Sequence, residues 1–154
     1  MYSRQMREPL WGLPDPDSQG EFYQDVATKR AFAWVIDMVA ITLISLMVVI
    51  FTVGIGLFFF GLITFVVSFL YRFISISSAS ATPGMRLMAI ELRNYRGERF
   101  DTATALLHTL GYLVSVAFVF PQILSIILMA TSRRGQGLSD MVLGTAALNR
   151  GARR

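Results

Sequence analysis

Asp37 is the residue most out of keeping with its surroundings. It stands in RAFAWVIDMVA, at the head of a run from Met38 to Tyr71 that contains no Asp, Glu, Lys or Arg. An ionisable group in so apolar a stretch costs roughly 2.5–3.5 kcal/mol at mid-bilayer and less near an edge, and it is retained either for pairing or for handling an ion or proton. Arg30 lies seven positions earlier, two helical turns or ~10 Å along one face. A second partner comes from depth. If Ile55 is the turn of an antiparallel hairpin, Asp37 lies 18 residues before it and Arg72 17 after, so Asp37 and Arg72 form a candidate ion pair. A structural ion pair and an ion or proton site are both compatible with this spacing.

Asp140 is the second acid of interest, in SRRGQGLSDMVLGTAAL behind Arg133 and Arg134. Ser139 or Asp140 is placed to cap a short helix, which Gly144-Thr145 would end. His108 is the single histidine, inside a neutral run. With no ligating neighbours in sequence it reads as a hydrogen-bonded packing residue rather than a metal ligand. There is no cysteine, which excludes disulfides, thiol catalysis and thiolate metal sites. Gly54, Gly56 and Gly61 lack the strand and the spacing of a phosphate-binding loop. One histidine supports no catalytic triad. No enzyme activity, cofactor or metal is expected.

The elements that would position these residues are membrane helices. Two uncharged runs, Met38–Tyr71 and Thr102–Ser132, are 34 and 31 residues long, and ~20 apolar residues suffice to cross a ~30 Å hydrocarbon core. A soluble helix would show charge every turn or two. The reading is an all-α membrane protein of one domain: a polar tail over residues 1–20, then a membrane domain over 21–150. Its spans are expected at about 31–52 and 57–73, joined at Gly54-Ile-Gly56. A third apolar segment, 102–130, is broken at Phe120-Pro121, either re-entrant or a third span. Residues 74–101 form a loop with a turn at Thr82-Pro83-Gly84 and a short β-hairpin through MRLMAIEL and RNYRGER. An amphipathic segment covers 133–150. Trp11, Phe22 and Tyr23 are candidates to rest at the membrane surface.

The fourteen basic residues fall in three clusters, residues 4–30, 72–99 and 133–154. By the positive-inside rule this places both termini and the 74–101 loop in the cytoplasm. A net charge of +4 is explained by that rule, and with no recognition motif it argues against nucleic acid as a partner. The five acids among the first thirty residues are unlike a signal peptide, so the first span is expected to persist in the mature protein.

Three motifs in this order resemble the RDD family of small bacterial membrane proteins, named for one arginine and two aspartates. RAFAWVID supplies Arg30, Ala33, Ile36 and Asp37. TPGMRLMAI supplies Thr82, Pro83, Gly84, Arg86 and Leu87. RRGQGLSDMVLGT supplies Leu138, Asp140, Gly144 and Thr145. The resemblance covers about residues 20–150. Three departures each remove charge: Met85 where the family usually has Lys or Arg, Ser139 where it often has His, and no arginine near His108. The resemblance implies a multi-pass protein of the bacterial inner membrane whose activity is undefined in the family. Cation/proton exchange has been proposed for some members. Its small size and nearly featureless spans favour an accessory or assembly component, as a homo-oligomer or within a larger membrane complex. The alternative is an oligomeric cation/proton or small-solute transporter that uses Arg30, Asp37 and Asp140. Under either reading Arg30, Asp37, Thr82-Pro83-Gly84 and Asp140 are expected in one polar cluster on the cytoplasmic side.

Overall fold

In the computed structural model, residues 12–151 are described. Two long helices, α1 (Val26–Phe51) and α2 (Phe60–Ala79), dominate it. At 1.5 Å per residue they extend about 39 and 30 Å, and both are long and apolar enough to cross a membrane. They are joined where the sequence suggested. Val53 and Gly54 have φ of 53° and 83°, and a single 3₁₀ segment, Ile55–Phe59, leads into α2. Left-handed φ is easy for glycine and costly for valine, so Val53 is the strained member of the turn and Gly54 the unstrained one.

The helices are inside-out by the standard of a soluble fold. The buried face of α1 is Val26, Ala33, Asp37, Ile41, Ser45 and Val49, a near-fourfold repeat that makes one stripe. On α2 the buried residues are Ser68, Arg72 and Ile76. Polar groups thus face inward while Phe32, Leu43, Ile50, Leu62 and Phe58 (89% exposed) face out. In water such apolar exposure would be an association liability. In lipid it is the required surface, with polar groups turned to the bundle interior.

The segment after α2 departs from the sequence expectation. Thr82 caps a short helix, α3 (Pro83–Leu87), accepting the Met85 N–H at 3.2 Å. Met85-Arg86-Leu87 is therefore helical, with Pro83 at the first position, where it has no N–H to lose. Strand β1 (Ile90–Arg93) follows, but its partner is not local. It pairs antiparallel with β2 (Ala146–Asn149), matching Ile90 with Asn149 and Arg93 with Ala146. The expected hairpin is thus replaced by a sheet between distant segments. RNYRGER cannot supply the second strand because Asn94 closes it into a loop: its Oδ1 accepts the N–H groups of Arg96 and Glu98, both at 2.9 Å, and Gly97 has φ 77°. β2 instead offers Ala146 and Ala147, fully buried.

The third apolar segment forms α4 (Thr102–Ala117) and α5 (Val119–Thr131), bent by 117°. The break lies at Phe118, in extended backbone with φ −120° and ψ 127°, and not at Phe120-Pro121. Pro121 falls within the first turn of α5, where N–H groups have no intrahelical partner and its ring does no harm. α4 and α5 are about 24 and 20 Å long, so neither alone matches a ~30 Å core. The chain then turns at Gly135 and forms α6 (Leu138–Leu143), ended by Gly144 at φ 67°.

The core lies at the end of the α1–α2 hairpin remote from Gly54. It joins Val26, Ala33, Ile76, Ala81, Met85, Ile90, Leu92, Phe100, Ala105 and Ala147. Both ends of the α4–α5 segment meet this region. The Phe100 N–H donates to Ser80 Oγ at 2.7 Å, and the Gly135 carbonyl accepts from Arg30 at 3.2 Å. Part of the segment read as tail is built in: Leu13 is buried with Tyr23, Ala146 and Leu148, and Phe22 packs against this cluster. Phe22 and Tyr23 therefore join the sheet cluster, with Tyr23 Oη donating to the Pro14 carbonyl at 2.8 Å. Trp11 and the rest of the expected tail up to it lie outside the described residues.

Candidate functional site

The three sequence motifs build two carboxylate cradles, not one cluster. The first surrounds Asp37 in the middle of α1. Tyr71 Oη of α2 and the Gly84 N–H of α3 donate to Oδ1 at 2.8 and 2.9 Å, and Thr82 Oγ1 donates to Oδ2 at 2.6 Å. Thr82 is doubly engaged, since the same oxygen caps α3. The carboxylate meets the start of α3, where free N–H groups favour a negative charge. Gly84 is required by proximity: a Cβ there would lie 2.3 Å from the Ala33 carbonyl oxygen and 2.8 Å from Asp37 Oδ1. Thr82-Pro83-Gly84 is thus the lid of this cradle, and Ala33 and Asp37 are its floor.

The second cradle holds Asp140, which is fully buried. Arg30 Nη1 donates to Oδ2 at 2.5 Å and the Gly137 N–H to the same oxygen at 3.0 Å. Oδ1 takes His108 Nε2 at 2.9 Å and Thr145 Oγ1 at 2.9 Å. An ionised carboxylate only accepts, so Nε2 carries the proton that faces it. Burial by itself would raise the Asp140 pKa. The Arg30 charge, the His108 contact and the Gly137 N–H outweigh it and hold the carboxyl well below the usual carboxylate range. Asp140 is the third residue of α6 and reaches back to the N–H ahead of that helix; Ser139 makes no cap. Gln136 Nε2 adds a bond to the Thr145 carbonyl at 2.6 Å.

The candidate pair of Asp37 with Arg72 does not form, and neither does one with Arg30. Arg30 is taken by Asp140, and among the described residues Asp37 makes no ion pair within 4.0 Å. Tyr71 and Arg72 both lie at the level of Asp37 on α2 but point in different directions. Successive helical residues are turned by ~100°, so Tyr71 faces Asp37 while Arg72 turns to α4. There Arg72 Nη2 donates to Tyr112 Oη at 3.1 Å, and its guanidinium lies 4.0 Å from the Tyr112 ring centre.

Of the other motif residues, Gly144 supplies a left-handed helix end and Thr145 a donor to Asp140, while Arg86 is exposed on α3 and joins neither cradle. Tyr71 is the member that sequence reasoning missed, and for His108 it gave a hydrogen-bonded role without the partner. No spacing rule links His108 to an acid 32 residues away, and Tyr71 was hidden beside a charged neighbour. A third charged group, outside the motifs, is Glu91, which sits between Arg93 and, at 3.3 Å, Arg150. Burial acts to raise its pKa, and the two arginines outweigh burial and lower it. No group of three or more His, Asp or Glu side chains is placed to hold a metal among the described residues.

Apolar helix surfaces with polar groups folded inward define a helical membrane protein. The family model of the RDD family matches residues 26–144, and the chain belongs to the RDD family. Comparisons with curated proteins and with solved structures gave no match.

Proposed function

We propose that this protein is an accessory or assembly component of a bacterial inner-membrane complex, without enzymatic activity, and that its motif residues fold it rather than move ions. One observation carries the reading: both motif carboxylates are filled by fixed protein donors, three on Asp37 and four on Asp140. A cation would have to displace hydroxyl, amide or guanidinium hydrogens to reach either one. Such saturated networks rigidify and specify a fold.

In the proposed topology both termini and residues 74–101 are cytoplasmic, and α4–α5 is re-entrant. Arginine placement supports this. So do the short lengths of α4 and α5 and the junctions of their ends with Ser80 and Arg30. Backbone broken at depth is tolerated where protein covers it, and α4 lies against α2.

Crosslinking in native membranes, followed by native mass spectrometry of the purified product, tests the reading. The expected outcome is a defined homo-oligomer or a stoichiometric heteromeric complex. A product that is monomeric in every membrane preparation would contradict it. A cation/proton exchanger is the second reading, favoured by His108, whose Nδ1 is buried without a partner among the described residues, beside Asp140, and is chemically able to relay a proton.

A further inference from the structure

Arg72 is 5% exposed within α2 and has no carboxylate within 4.0 Å among the described residues. Its one hydrogen bond among the described residues is Nη2 to Tyr112 Oη, and Nε is enclosed with no acceptor. Tyr112 cannot make up the deficit. Its oxygen already accepts two donors, Arg72 Nη2 at 3.1 Å and Trp34 Nε1 at 2.8 Å. Both lone pairs of a phenol are then used, so its O–H must point outward as a donor, and it meets no acceptor among the described residues. The neighbouring carboxylate is committed as well, since Asp37 is held by Tyr71, Thr82 and Gly84.

Among the described residues, the donors at the junction of α1, α2 and α4 therefore exceed what the Tyr112 oxygen can accept, and the junction carries the Arg72 charge. A charged arginine in a span is costly unless it is paired, and a buried donor without an acceptor adds its own desolvation penalty. The guanidinium is also oriented for use. Its carbon lies 4.0 Å from the Tyr112 ring centre, and the planar fork of N–H donors suits two-point recognition of an oxyanion. The site meets the outside at Trp34, which is 44% exposed. It lies seven residues before the end of α2, roughly 10 Å along the axis, near the membrane edge that carries the protein's core and most of its charges.

We infer that Arg72, Tyr112 and Trp34 form a binding site for a phosphate-class oxyanion. Arg72 supplies the charge and the fork, Tyr112 the hydroxyl donor, and Trp34 holds the tyrosine oxygen in place. The oxyanion comes either from the headgroup of a membrane phospholipid or from free phosphate, and the experiment separates the two.

The full-length protein is purified in a delipidating nonionic detergent. Its thermal unfolding is followed while phosphatidylglycerol in mixed micelles, a neutral diacylglycerol, or inorganic phosphate is titrated in. Native mass spectrometry scores retained lipid. Phosphatidylglycerol is expected to raise the unfolding temperature and remain bound, with no response to diacylglycerol. Stabilisation by inorganic phosphate alone would assign the same site to a soluble ion. Tyr112→Phe keeps the ring and removes the hydroxyl, and Arg72→Lys keeps the charge and removes the fork. Each is expected to weaken the response about ten- to a hundredfold in concentration. If Arg72→Gln folds, it should abolish the response. Equal responses in wild type, Tyr112→Phe and Arg72→Lys would overturn the inference. So would a wild type stabilised only by raising its own concentration, because a second copy would then be supplying the acceptor.

Discussion

Arg30 Nη1 lies 2.5 Å from Asp140 Oδ2, joining residues 110 positions apart in sequence, with the carboxylate fully buried and the arginine nearly so. The contact closes the last motif onto the first. It carries the segment after α5 back beneath α1, where the Gly135 carbonyl takes a second bond from the same Nη1. Removing either partner leaves the other charge buried and unpaired, which costs about 3–5 kcal/mol. Asp140→Ala and Arg30→Met should each lower the unfolding temperature in detergent sharply. The double variant should be less damaged than the sum of the two, and additivity would show that the contact contributes nothing of its own.

The Asp37 cradle predicts a different coupling pattern. Tyr71→Phe removes one donor from the carboxylate and should cost about 1–3 kcal/mol. Asp37→Ala should cost more, because three donors lose their acceptor together. Coupling should appear between Asp37 and Tyr71 or Thr82 in thermal-unfolding cycles. A larger coupling of Asp37 with Arg72 would mean that these two residues pair after all.

Gly84→Ala tests the packing of the lid. The added methyl would overlap the Ala33 carbonyl and the Asp37 carboxylate, and forced overpacking costs about 1–3 kcal/mol. Gly61→Ala, with no neighbour within 4 Å, is the control and should be neutral or slightly stabilising. Similar losses at both positions, read as yield and unfolding temperature, would place the defect elsewhere than in the lid.

Acid should weaken the protein through Asp140. Its folded pKa is depressed, against an unfolded value of about 3.9. The stabilisation is therefore complete above about pH 4 and is lost as pH falls from there toward the folded pKa. Glu91 is shifted in the same direction, so the useful quantity is a difference. Asp140→Asn should show a shallower fall in unfolding temperature below about pH 4 than wild type. Parallel acid limbs would remove Asp140 from the account.

Topology is checked by single cysteines, since the chain has none of its own. Ser18→Cys, Glu98→Cys and Gly151→Cys lie at exposed positions and should resist an impermeant thiol reagent in intact cells. Ile55→Cys, at the opposite turn, should react. Labelling of Gly151→Cys alone from outside would replace the proposed re-entrant path of α4–α5 with a full crossing.

How much of this was legible in the sequence follows from the range of each interaction. The two long helices and the Gly54 turn came from composition and local backbone preference, which act within a few residues. The role of Thr82-Pro83-Gly84 was half legible: its turn chemistry was plain, but Gly84 is needed for its approach to Ala33, a contact 51 positions away. The sheet was misread because β2, AALN, has no alternating pattern and forms only where β1 waits for it. Depth along an antiparallel hairpin located the level of Asp37 on α2, but rotation about that helix decides between Tyr71 and Arg72. That rotation is set by packing with α4, which no local pattern reports. His108 was correctly read as hydrogen-bonded, while its partner depends on how α6 folds back.

Reconstitution into sealed liposomes tests the central claim most directly, that the motif carboxylates lock the fold and do not conduct. Proton flux is followed with a pH-sensitive dye under imposed sodium, potassium or lithium gradients. Wild type should give no flux above protein-free liposomes with any of these cations, and Asp37→Asn should alter only stability. Cation-dependent proton flux in wild type that Asp37→Asn abolishes, in a variant that unfolds at the wild-type temperature, would contradict the account and establish transport.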